Sequence, residues 1–167
     1  MATKAEQKAF IGSASKAAQK SEQKTGVPAS VTIAQAILES GWGAHHMGDA
    51  NNYFGIKAQE KNGKVTFGDV ATGFVDRLTK EFDKNGRAFT VTAHFRAYKD
   101  MAGSFIDHGL FLTAPRYRKA LQAYQKTKNA NDFAQGLQDA GYATDPNYAK
   151  TLISLMKKFD LYQFDAA

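Results

Sequence analysis

The 167-residue chain contains no cysteine, which excludes disulfide staples and thiolate metal sites and lets the protein fold alike in reducing or oxidising compartments. It lacks any apolar run of transmembrane length, so no stable membrane insertion is expected. Its opening residues, Met1-Ala2-Thr3-Lys4-Ala5-Glu6-Gln7-Lys8, lead into no apolar segment of the kind a Sec-type leader needs. Basic runs are missing too. Lys and Arg (22) outnumber Asp and Glu (16), giving a net charge of +6, but no five or six of them cluster and there is no arginine-rich arm. The excess favours an anionic partner, while the scatter argues against nucleic acid. No His-Glu-x-x-His pattern occurs, and adjacent His45-His46 stand in a glycine-rich loop without a supporting carboxylate triad. Neither metal nor cofactor is expected.

What remains is ordinary globular composition, 43% hydrophobic and 23% charged, in a length suited to one domain over residues 1–167. Thr3 and Glu6 have capping-box spacing ahead of a helical stripe (Phe10, Ile11, Ala14, Ala17, Ala18, Ser21), which predicts a helix ending near Thr25-Gly26. Pro28 suits the first turn of a second helix. Its apolar positions cover most of the circumference, so it is read as buried, carrying Glu39 and Ser40 in its last turn and stopping at Gly41. Residues 41–75 are rich in glycine and read as loop. Asn85-Gly86 predicts a β-hairpin with a two-residue turn. That turn would pair Phe82 with Phe89, Lys80 with Val91 and Leu78 with Ala93, and on the other face Glu81 with Thr90, Thr79 with Thr92 and Arg77 with His94. After Tyr98 the pattern is helical again, with Asn131 as one cap and Asp145-Pro146 opening the last helix. The expected architecture is α+β: a helical body with an inserted β-hairpin lobe beside a cleft.

Glu39 is the first candidate for chemistry. It follows Ile37-Leu38 at a helix C-terminus, where apolar surroundings and the negative end of the helix dipole both favour the protonated carboxyl. A general acid needs that near neutral pH. The plainer alternative is a solvated glutamate at a helix end. Trp42, the lone tryptophan, stands just beyond as an apolar wall or sugar platform, and Phe54 is read as core support beneath the acid.

The segment Val27-Pro28-Ala29-Ser30-Val31-Thr32-Ile33-Ala34-Gln35-Ala36-Ile37-Leu38-Glu39-Ser40-Gly41-Trp42-Gly43 resembles the catalytic helix of glycoside hydrolase family 73, the bacterial β-N-acetylglucosaminidases. Three further blocks follow in the family's order: Asn51-Asn52-Tyr53-Phe54-Gly55-Ile56-Lys57, Phe95-Arg96-Ala97-Tyr98, and Leu137 through Ala149 with Gly141-Tyr142 at its centre. Together they span about residues 10–160, which is far more specific than any single motif. The sequence departs from the family in having Lys80-Glu81-Phe82 where Thr-Glu-Tyr is usual, and in glycines inserted between Asn52 and Glu81.

The resemblance implies a lysozyme-like fold and cleavage of the β-1,4 bond between N-acetylglucosamine and N-acetylmuramic acid in peptidoglycan. It assigns Glu39 as general acid, Glu81 as the second carboxylate and Tyr142 as the active-site tyrosine. A carboxylate pair fits because glycoside hydrolysis needs both a proton for the leaving oxygen and help for water or the oxocarbenium ion. Trp42, Asn51, Asn52 and Tyr148 are candidates for substrate contact. Asn51 and Asn52 equally suit a loop-fixing role, and Tyr148 a packing role. Glu81 can also be read as an ordinary strand glutamate. The nearest rival activities are a lytic transglycosylase or muramidase; a catalytically inert wall-binding module is the rival of another class. The expected partner is the peptidoglycan glycan strand, met in the periplasm or cell wall. Without a Sec leader, the route there is type VI secretion of an antibacterial effector, with a periplasmic immunity protein as second partner, or holin release of a phage endolysin.

Overall fold

The computed structural model describes residues 1–166. Helix α1 (Lys4–Thr25) opens on the expected capping box, with the Thr3 hydroxyl accepting the Glu6 N–H at 3.0 Å and the Glu6 carboxylate accepting the Thr3 N–H at 3.1 Å. It closes on Gly26, whose φ of 81° is left-handed. Helix α2 (Ala29–Ser40) follows Pro28 and ends on Gly41, again left-handed at φ 56°. Strands β1 (Gln59–Lys61) and β2 (Lys64–Thr66) come next, then β3 (Gly73–Phe82) and β4 (Ala88–Ala97). The chain finishes with α3 (Met101–Phe111), α4 (Arg118–Thr127), α5 (Ala130–Asp139), α6 (Tyr148–Lys158) and a final 3-10 turn at Leu161–Phe164.

Helix α2 is the axis of the body. All its residues from Ala29 to Ile37 are buried, and α1, α5, α6 and the final turn pack around it. A helix that is apolar over most of its circumference finds its stability in such a position. Its N-terminus has no side-chain cap of its own. Two carboxylates from other segments replace it. Glu22 on α1 accepts the Ala29 N–H at 2.9 Å, and Asp165 accepts the Ser30 N–H at 2.7 Å and the Ser30 hydroxyl at 2.8 Å. N-terminal caps contribute about 0.5–2 kcal/mol each, so the end of α1 and the segment after α6 both help hold the helix that carries Glu39.

The α+β architecture agrees with expectation, and four details differ. The stretch read wholly as loop contains a 3-10 turn at Gly48–Ala50 and a second hairpin, β1–β2, turning on Asn62 (φ 53°) and Gly63 (φ 76°). Those paired left-handed residues are what a two-residue hairpin turn demands. The β3–β4 register is shifted by one residue: Glu81 faces Phe89, Thr79 faces Val91 and Asp76 faces His94. The cause is Asp83. Its carboxylate accepts the N–H groups of Asn85 and Arg87 at 2.8 and 2.9 Å, and Gly86 sits at φ 79°. The turn is therefore a three-residue Lys84-Asn85-Gly86 loop rather than Asn-Gly alone. Such a slip exchanges every cross-strand partner, so Glu81 shares its face with Phe89, Val91 and Ala93 instead of Thr90, Thr92 and His94. Helix α5 is capped by Asn129 rather than Asn131. Helix α6 begins after Asn147, because Asp145 folds an Asx turn onto the Asn147 N–H at 2.8 Å. No helix of the described residues is long and apolar enough to cross a membrane.

Candidate active site

A groove of about 430 Å³ opens beside the C-terminal end of α2. Glu39 comes from that helix end, Phe54 to Lys57 from the loop beyond it, Gln59 from β1 and Arg96 from β4. The opposite wall is His108 and Phe111 of α3, Arg116 and Tyr117 of the turn before α4, and Tyr142 of the turn after α5. Among the described residues lining it, Glu39 is the only carboxylate, against the cations Lys57, Arg96 and Arg116.

Glu39 is open to the groove, yet its surroundings exclude enough water that burial raises its pKa above the ordinary glutamate value. No charge or hydrogen bond acts against that shift. Desolvation, not a neighbouring charge or hydrogen bond, is the cause of that shift. One helical turn earlier on the same face, the Gln35 side-chain amide donates to the Tyr148 hydroxyl at 3.0 Å. The Tyr148 ring stacks on Tyr142 with centroids 5.4 Å apart, and Tyr117 lies 6.1 Å from Tyr142 on another side. Burial first, then Tyr148, Glu39 and Tyr117, raise the Tyr142 hydroxyl well above the normal phenol range. Tyr142 therefore keeps its proton as a hydrogen-bond donor, close enough to Glu39 to sense its charge.

The floor is a polar lattice. Arg96 donates to the Asp107 carboxylate at 2.9 Å, to Gln59 at 2.8 Å and to the Lys57 carbonyl at 3.2 Å. The Tyr98 hydroxyl donates to the same Asp107 oxygen at 2.5 Å. Arg96 thus ties both hairpins to α3, and its fork-shaped guanidinium suits several simultaneous acceptors. His108 is buried, stacks on Phe54 at 3.9 Å, and has no hydrogen-bond partner on either ring nitrogen. Burial pushes its pKa down to about 3, so it stays neutral. What the groove presents is one proton-bearing carboxyl, one phenol donor and a cationic, partly aromatic rim, an arrangement able to protonate a leaving oxygen in a polyhydroxylated ligand.

The family model described as mannosyl-glycoprotein endo-beta-N-acetylglucosaminidase matches residues 15–161. This chain belongs to the glucosaminidase family. It is 38% identical over 163 residues to the exo-glucosaminidase LytG of Bacillus subtilis and 39% identical over 158 residues to the peptidoglycan hydrolase FlgJ of Escherichia coli. Those matches cover 96% and 90% of this chain but 54% and 46% of the relatives, so the chain spans about half their length. Its backbone is similar to the catalytic domain of the autolysin Auto from Listeria monocytogenes, with a TM-score of 0.79 at 31% identity, covering 99% of this chain and 90% of that one. The chain is a glycoside hydrolase with the lysozyme-like α+β architecture of this family.

Within the glucosaminidase fold, the structure gathers some candidate residues and separates others. Glu39 and Tyr142 share the groove, with Tyr148 buried behind Tyr142. Glu81 lies one residue from the end of β3, half-buried opposite Phe89, and does not line the groove. Trp42, at a left-handed φ of 60°, packs edge-on against Phe159 at 4.9 Å and Phe10 at 6.2 Å, away from the groove lining. Asn51 donates to the carbonyls of Tyr98 and Lys99 at 3.2 and 3.3 Å. Asn52 is buried, donating to the carbonyls of Ile56 and Arg96 and accepting the N–H groups of Phe54 and Ile56. Both asparagines are spent on fastening the loop to β4 and its exit. His46 stacks on Tyr53 at 5.3 Å, and no cluster of metal-binding side chains occurs among the described residues.

Arg96, Asp107, His108, Arg116 and Tyr117 were not singled out from the sequence. Arg96, next to last in β4, and Tyr98, the first residue past it, stand two apart and reach the same Asp107 carboxylate. That spacing inside the Phe-Arg-Ala-Tyr block, with Asp107 on the helix that follows, is the signal that could have found the lattice. Nothing local marks Arg116, whose partners lie 24 and 25 residues away.

Proposed function

We propose that this glucosaminidase cleaves the β-1,4 bond between N-acetylglucosamine and N-acetylmuramic acid within peptidoglycan strands. Glu39 protonates the glycosidic oxygen, Tyr142 positions the reacting sugar by donating its hydroxyl proton in a hydrogen bond, and Glu81 serves as second carboxylate once the β3–β4 hairpin moves toward the bound glycan. The observation that carries this reading is Glu39, the one carboxyl among the described residues lining the groove, whose pKa burial raises. The names of LytG and FlgJ support both substrate and reaction. The test is release of reducing sugar from purified sacculi. Glu39→Gln is expected to bind sacculi and keep the fold while losing hydrolysis, with N-acetylglucosamine at the new reducing ends of wild-type products. Undiminished turnover by that variant overturns the assignment, and muramic acid or anhydromuramic ends would move the cut to the neighbouring bond.

We also propose an antibacterial effector role, with an immunity protein seated over the groove. Phe111, 50% exposed and lining the groove, gives its rim an apolar patch that supports such a seat. Directing the chain to the periplasm of a test bacterium by an added leader is expected to lyse it, whereas cytoplasmic expression leaves it viable. Unimpaired growth with active enzyme in the periplasm contradicts the role.

A further inference from the structure

Arg116 stands on the turn between α3 and α4, far in sequence from the residues it holds. Its Nε donates to the Ala140 carbonyl at 2.9 Å and its Nη2 to the Gly141 carbonyl at 2.6 Å. Those oxygens belong to the end of α5, where a helix leaves carbonyls without partners and concentrates negative partial charge. A guanidinium answers both deficits at once, with two donors in a fixed fork and a charge of the right sign. The next residue along the chain is Tyr142.

Three further features tie Arg116 to the same wall. Gly141 is left-handed at φ 78°, and a Cβ there would approach the Arg116 Nη2 to 3.2 Å, so glycine both makes the turn and leaves the guanidinium room. The guanidinium also lies 5.4 Å over the ring of Tyr117, which neighbours Tyr142. Arg116 itself sits where the groove meets a second hollow of about 530 Å³ between α4 and α5. Without it, the 140–142 turn keeps the backbone bonds from the N–H groups of Ala140, Gly141 and Tyr142 to Gly136, Gln138 and Leu137. It loses the tie from that turn to the α3–α4 turn.

We propose that Arg116 is a positioning residue, clamping the Ala140–Gly141 turn to the α3–α4 turn so that the Tyr142 hydroxyl is held in register with Glu39. The inference rests on the role assigned to Tyr142 above. Displacement of a catalytic group by about 1 Å costs on the order of 100-fold in rate. Arg116→Ala is therefore expected to lower kcat by roughly 10- to 100-fold, with KM within about threefold.

The test is steady-state kinetics on solubilised glycan strands for wild type, Arg116→Ala, Arg116→Lys, Tyr142→Phe and the Arg116→Ala/Tyr142→Phe double variant, each checked by thermal unfolding. Lysine is expected to recover part of kcat, since one ammonium donor can serve one carbonyl. In the Tyr142→Phe background the Arg116→Ala change is expected to cost less than about twofold, because the group it positions is gone. Should Tyr142→Phe fall below detection, the kcat-against-KM split and the lysine rescue decide. Wild-type kcat in Arg116→Ala overturns the proposal, as does an equal loss with and without the Tyr142 hydroxyl. A raised KM at unchanged kcat overturns it too, and makes Arg116 a direct glycan contact. Full activity in Tyr142→Phe instead removes Tyr142 from the mechanism and takes this inference with it. An impaired Tyr142→Phe beside a fully active Arg116→Ala removes Arg116 alone.

Discussion

At the scale of single residues, desolvation in the groove favours the neutral forms of two groups that line it. Burial raises Glu39 above the ordinary carboxylate range and Tyr142 above the ordinary phenol range, and Glu39 itself contributes to the Tyr142 shift. The Glu39 contribution to Tyr142 acts only when Glu39 is ionised, whereas desolvation favours the neutral form of each group on its own, and a protonated Glu39 is what proton donation requires. Glu81 belongs to a different setting, a half-buried strand position near the hairpin turn, outside the groove lining. As second carboxylate it is expected to matter for turnover more than for binding. Glu81→Gln should lower kcat by at least about tenfold, roughly 1.4 kcal/mol of barrier, with the affinity for sacculi little changed. Activity within about twofold of wild type would leave stabilisation of the oxocarbenium ion to the acetamido group of the substrate.

At the scale of elements, an imidazole joins the two hairpins beside the Arg96–Gln59 contact. His94 on β4 contacts Asp76 of β3 at 2.5 Å through Nδ1 and Glu60 of β1 at 3.0 Å through Nε2, while the Phe74 ring meets it edge-on at 5.3 Å. The hydrogen bond to Asp76 is the largest cause of a raised His94 pKa, with Glu60 adding to it. A group whose pKa is higher folded than unfolded contributes stability that is complete below its ordinary value and is lost as pH rises through the folded value. Hydrogen-exchange protection of the β1–β2 amides is therefore expected to fall as pH rises from about 6.5 through the raised His94 pKa, and to be independent of pH in His94→Gln. A flat profile in the wild type contradicts the clamp. This joint was invisible beforehand, since pairing Arg77 with His94 in the expected register hid the Asp76 contact.

At the scale of the whole molecule, the helical body was legible and the lobe only partly so. Local signals end α1 and α2: the Thr3–Glu6 box, Gly26 and Gly41 all act within a turn of the residues they cap. The four family blocks fall where the fold needs them, on α2, on the loop beneath the groove, at the exit of β4 and around Tyr142. Hairpin register failed because one side chain, Asp83, converts an Asn-Gly signal into a longer loop, and the β1–β2 hairpin was missed although Asn62-Gly63 carries the same signal. The ties that shape the groove, Arg96 to Asp107 and Arg116 to the Gly141 turn, join separate elements and leave no periodic trace. The same distinction explains Trp42: adjacency to Glu39 suggested a sugar platform, whereas the left-handed turn after α2 sends the ring into the cluster with Phe10 and Phe159.

The proposed chemistry of the groove turns on desolvation raising the pKa of the Glu39 carboxyl. Carboxyl ¹³C NMR of the folded protein, with the Glu39 resonance assigned by its loss in Glu39→Gln, measures it directly. That resonance is expected to titrate above the reference value of 4.5, and above the fully solvated glutamates of the same molecule. A Glu39 midpoint at or below that reference would contradict it.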